Sequence, residues 1–140
     1  MIKQFIGLGA AEKRTFVRAW LLLLAVDLGL RVTSLAKVHG WLGRGLPPQV
    51  APPEPRALAW MVWRQVDAAA RHHLVPMSCL RQSLALQRLL AERGLLVGVY
   101  IGARKEQGRL YAHAWIEVEG EAIGEGRGVV ESFIPVLHLS

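Results

Sequence analysis

The hydrophobic pattern changes its period at Gly94, and that change limits what the chain can fold into. Before it, apolar residues recur at helical spacing; after it, short β-branched runs are bounded by glycines and then alternate. Helices gathered ahead of a small antiparallel sheet make an α+β domain. With 140 residues, 52% of them apolar, the chain suits one domain with a modest core. Its expected divisions are a helical segment over 1–45, a stiff connector over 46–55 and the core of the domain over 56–140.

Val17, Trp20, Leu21, Leu24 and Leu28 follow helical spacing and predict one long helix from about Ala11 to His39, stopped by Gly40. Its most apolar part, Ala19 to Val26, is far short of the ~20 residues of a membrane span. A core helix is expected there rather than one docked on a partner or membrane. Five prolines between Leu46 and Pro55 exclude helix from the connector. A second helix is expected from Arg56 to His73, with Leu58, Val62, Val66 and Ala69 on one stripe. Ser78 then caps a third, Cys79 to Arg93, closed by Gly94. On it Cys79, Ser83, Leu86 and Leu90 share the inward side, while Arg81, Arg88 and Glu92 are expected to face water.

Downstream, Leu95 to Gly102 reads as a strand and Lys105 to Gly108 as a turn. Leu110 to Val118 alternates, with Tyr111, His113, Trp115 and Glu117 on one face. Glu119 and Gly120 turn the chain toward Ala122 to Glu125, and a last strand covers Val129 to Leu137.

The formal charge of +6 is scattered, without a run of five basic residues or a nucleic-acid motif, so no nucleic-acid partner is expected. Cys79 is the sole cysteine and cannot form an internal disulfide. Met1 to Ala11 lacks the basic start of a signal peptide, which points to the reducing cytoplasm. His72 and His73 with one thiol lack zinc spacing, and neither a metal nor a cofactor is expected.

A thiol attacks as its thiolate, which the unpaired N–H groups and dipole of a helix's first turn stabilise. Cys79 occupies such a turn. A nearby imidazole would take the thiol proton and later release it to the leaving group, and His113 is the candidate. Glu117 shares its strand face, but four strand residues span about 13 Å, too far for a hydrogen bond. Glu125 is better placed. A loop of Glu119, Gly120 and Glu121 would set it diagonal to His113, whereas a two-residue loop would flip it unless a bulge at Gly124 and Gly126 restored the phase. The bland alternative is a buried, inert Cys79, a packed His113 and hairpin glutamates that are surface charges. Spacing alone leaves enzyme and non-catalytic scaffold both open.

The segment Ser78-Cys79-Leu80-Arg81-Gln82-Ser83-Leu84-Ala85-Leu86, with Leu89-Leu90, Arg93-Gly94 and Ile101-Gly102, and then Ala112-His113-Ala114-Trp115-Ile116-Glu117-Val118-Glu119-Gly120, resembles the core of the lasso-peptide leader peptidases. These are cysteine proteases with a transglutaminase-like, papain-like core, and the resemblance is strong from about Ala57 to Glu125. It implies a Cys-His-Asp triad, with Cys79 as nucleophile and His113 as base. Glu125 stands where the family has aspartate, about a dozen residues past the histidine. The resemblance also implies a precursor peptide as substrate, cut between leader and core. It implies a separate leader-recognition protein as partner, and an asparagine-synthetase-like cyclase that acts afterwards. The length suggests the stand-alone protease form, with the first helix around Leu22 and Leu23, or the open sheet edge, as a docking surface. An acyltransferase that passes the thioester to an amine is the other catalytic reading.

Overall fold

The computed structural model describes residues 9–125 and 129–140. The start of the N-terminal segment, residues 1–8, and Gly126 lie outside the described residues. Among the described residues four α-helices precede a four-stranded antiparallel sheet: α1 Ala10–Val32, α2 Leu35–Leu42, α3 Pro55–Arg71, α4 Cys79–Glu92, β1 Val99–Glu106, β2 Arg109–Val118, β3 Glu121–Ala122 and β4 Ile134–Leu139. The sheet order is β3-β2-β1-β4. The α+β expectation holds.

The single long first helix does not. It breaks at Thr33 and Ser34, which are extended, and the Ser34 side chain accepts from Lys37 N to start α2. Gly40 lies inside α2 rather than ending a helix. The buried face of α1 also differs from the expected stripe. Phe16, Ala19, Leu23 and Val26 enter the core, while Val17, Leu21 and Leu28 are exposed. Because α1 is apolar on most sides, periodicity alone does not fix which side turns inward. Leu23 is fully buried, so it cannot serve as a docking contact.

The connector remains non-helical until Pro55, which opens α3 at a position where its missing N–H costs nothing. Val62, Val66 and Ala69 of α3 meet Leu84 and Leu90 of α4 and Val99, Ala114 and Ile116 of the sheet in one core. Each large aliphatic side chain sealed there contributes about 1.5–3 kcal/mol.

The sheet starts later than the sequence suggests, at Val99; Leu95 to Gly98 stays against α4, with Leu95 N donating to Leu90 O and Gln87 Nε2 to Val97 O. The β1–β2 connection is the two-residue turn Gln107-Gly108, with φ of 51° and 77°. A second two-residue turn, Glu119-Gly120, with φ of 51° and 81°, replaces the expected three-residue loop and pairs Val118 with Glu121. The final segment is a short 3-10 turn, Val130–Ser132, before β4, instead of one strand from Val129. No described helix is long and apolar enough to cross a membrane.

Candidate active site

Ser78 is extended, and its hydroxyl accepts from Arg81 N at 3.3 Å, so α4 begins at Cys79. The Arg81 guanidinium donates to Ser78 Oγ at 3.1 Å and to Asp27 Oδ1 at 2.8 Å. The helix start that carries the thiol is thereby tied to α1. Arg81, Arg88 and Glu92 were expected to face water, but they are only partly exposed. Arg88 bonds Glu92 and the carbonyls of Leu42 and Arg44, and Glu92 also pairs with Arg18. These charges join α4 to α1 and to the end of α2.

Burial pushes the Asp27 carboxyl up, but the hydrogen bonds and charges of Arg31 and Arg81 outweigh it, leaving the carboxyl below its ordinary value. Glu92 behaves alike: burial raises it, and Arg18 and Arg88 bring it down further than burial lifts it.

Cys79 is partly buried, and its Sγ accepts a hydrogen bond from Ala114 N at 3.4 Å. The thiol therefore rests against β2 at the residue next to His113. The His113 Nε2 lies 2.5 Å from Glu125 Oε1, with both side chains about one-fifth exposed. An ionised carboxylate only accepts, so Nε2 donates, and in the neutral ring Nδ1 then keeps its lone pair. Among the described residues no hydrogen bond joins Sγ to the imidazole. Such contacts often tighten only when substrate is bound.

Glu125 reaches His113 by a route that differs in detail from the expected register. The two-residue turn would send Glu125 to the wrong face, but Gly124 has a φ of 83° and redirects the chain. A Cβ on Gly124 would lie 2.3 Å from Trp63 Nε1, so the site needs glycine for space as well as for φ. Gly124→Ala is expected to cost about 2 kcal/mol or more, as read from a thermal melt. Glu117, set aside on distance, accepts from Trp115 Nε1 at 2.9 Å.

The imidazole is held in a layer of rings. Its centroid lies 5.9 Å from Trp115 with an 18° tilt and 5.3 Å from Phe133. Gly102 faces His113 in the register, and a Cβ there would come within 2.9 Å of both Trp115 and Phe133. The sequence put Trp115 on the face of His113 but gave no sign that Phe133, on a distant segment, completes the layer. His72 ends α3, and His73 stacks on Trp20 at 4.2 Å, so both sit apart from the thiol site.

A small cavity of about 50 Å³ beside Sγ is lined by Trp63, Gln82, Leu86, Trp115 and Glu125. A larger space of about 430 Å³, bordered by Arg56, Trp60, Glu121 and Glu131, shares Glu125 with it. Another of about 430 Å³ lies on the opposite flank of α4, between His39 and His138, and does not include the thiol. A thiol at a helix N-terminus, a histidine oriented by a carboxylate and adjoining space can support attack on an acyl carbon.

The sequence pattern of the transglutaminase-like superfamily matches residues 22–138. No curated protein and no solved structure matches the chain. The match extends over most of the sequence, and the chain belongs to the transglutaminase-like superfamily, which includes cysteine proteases and acyltransferases.

Proposed function

We propose that this protein is a cysteine endopeptidase that removes the leader from a ribosomally made peptide, like the lasso-peptide leader peptidases that its sequence resembles. One observation carries the chemistry: Sγ of Cys79 sits 3.4 Å from Ala114 N, adjacent to a histidine whose Nε2 is bound to Glu125. Membership of a superfamily that includes cysteine proteases supports it.

The Sγ proton passes to His113 Nδ1 as sulfur bonds to the scissile carbonyl carbon. First-turn N–H groups of α4 stabilise the oxyanion. Collapse breaks the C–N bond, and His113 gives its proton to the departing amine. Water then adds to the thioester, with one proton taken by His113; the C–S bond breaks and the thiol recovers that proton. Glu125 keeps the ring in the tautomer that leaves Nδ1 free and balances the charge of the imidazolium. The reaction belongs in a reducing cytoplasm, beside a separate leader-recognition protein and upstream of a cyclase.

The test is intact-mass analysis after incubation with a candidate precursor and its recognition protein. Two fragments whose masses sum to the precursor plus one water support hydrolysis. A product joined to an amine, without added water, identifies an acyltransferase, and intact precursor contradicts both. Glu125→Gln is expected to slow cleavage, though less than loss of His113, because it weakens orientation without removing the base.

A further inference from the structure

The edge of β2 beside the thiol is open, and the backbone of Leu110 and Ala112 there is unpaired among the described residues. The register fixes which groups point outward. The turn Gln107-Gly108 is closed by the pair Glu106 and Arg109, so Tyr111, His113 and Trp115 bond across to β1. The N–H and C=O groups of Leu110, Ala112, Ala114, Ile116 and Val118 must then point to the opposite side. Two observations agree: Ile116 O accepts from Ile123 N, and Ala114 N donates to Cys79 Sγ. On that side, among the described residues, β3 pairs only with Glu117 and Val118. Leu110 is 75% exposed, and Ala112 is exposed as well.

We infer that the substrate peptide binds as an added strand on this edge, pairing its backbone with Ala112 and Leu110, so that the scissile carbonyl reaches Cys79 at Ala114. The inference rests on the proposed peptidase reading and specifies how that site holds its substrate. Ala112 is two residues from Ala114, about 7 Å along the strand, which is the spacing at which an edge offers its next donor and acceptor. Pairing through backbone groups takes any extended peptide and leaves selectivity to side chains. The occupant is an extended substrate segment because the edge runs continuously into the nucleophile.

The test uses two alkylating probes on the native protein. Tetra-alanyl chloromethyl ketone carries an extended backbone, and Sγ displaces its chloride to form a C–S bond. Iodoacetamide reacts at the same atom without that backbone. Ala112→Pro removes only an outward N–H, a change that edge positions tolerate. It should lower the rate with the tetra-alanyl probe by about ten-fold, the worth of one hydrogen bond, and leave the iodoacetamide rate unchanged. Equal effects on both probes, or on neither, overturn the strand pairing.

A second measurement needs no variant. Hydrogen exchange at the Leu110 and Ala112 amides should slow by about ten-fold or more in the tetra-alanyl adduct relative to the carbamidomethyl adduct. Equal exchange overturns the inference, as does protection that appears without peptide and rises with protein concentration, which would show a second copy on this edge. A native thiol slower than free cysteine toward both reagents overturns the peptidase reading, and this inference with it.

Discussion

Cys79→Ala is expected to end cleavage of the precursor, and His113→Ala to lower kcat by about 10³-fold or more. Cys79 is the sole thiol, so no other side chain can form the thioester. His113 is the imidazole on the strand against which that thiol rests, and Glu125 fixes its orientation at 2.5 Å. Groups that act as one unit fail together, so the double variant is expected to be no slower than Cys79→Ala alone. Intact-mass analysis of the precursor reads the loss. Melting curves show whether the fold persists, which is expected for Cys79→Ala because Sγ makes one hydrogen bond and removing it leaves only the Ala114 amide to satisfy.

Asp27→Asn is expected to destabilise the protein by about 3–5 kcal/mol, a large part of the 5–15 kcal/mol that holds a domain of this kind together. Asp27 is 3% exposed and accepts from Arg31 Nε at 2.9 Å and Arg81 Nε at 2.8 Å. Without its charge, Arg81 loses its carboxylate while still tied to the cap of α4. Urea denaturation measures the loss. The pH dependence follows from the same contacts. Asp27 and Glu92 titrate lower in the folded state than their ordinary values of 3.8 and 4.5. Their stabilisation is full above those ordinary values and fades as pH falls through the lower folded ones. Stability should thus drop below about pH 4, and less steeply in Asp27→Asn than in the native protein.

Helix caps and strand alternation made the core of the site legible. Ser78 marked the start of the cysteine helix, and alternation put His113 and Trp115 on one face of β2. The route to Glu125 was legible only as one of two alternatives, because the backbone turn at Gly124 that undoes the two-residue loop depends on packing against Trp63. The inward face of α1 was misassigned for a related reason. Asp27 breaks the apolar run, yet it is buried, because Arg81, distant in sequence, joins Arg31 of the same helix in neutralising it. Arg81 and Glu92 carry the same lesson: charges spaced for a solvent face are drawn inward when another helix offers the opposite charge, while Arg88 is held by Glu92 and by the carbonyls of Leu42 and Arg44. Local pattern says nothing of such partners, and the break at Thr33 and Ser34 was hidden by leucines continuing past it.

The most direct measurement is the iodoacetamide alkylation rate of Cys79 at pH 7 in the native protein, in His113→Ala and in the urea-unfolded chain. An activated thiol predicts a native rate about ten-fold or more above that of the unfolded chain, with His113→Ala losing most of the gain. A native rate below that of the unfolded chain and indifferent to His113 would mark the sulfur as a packed core atom and contradict the catalytic account.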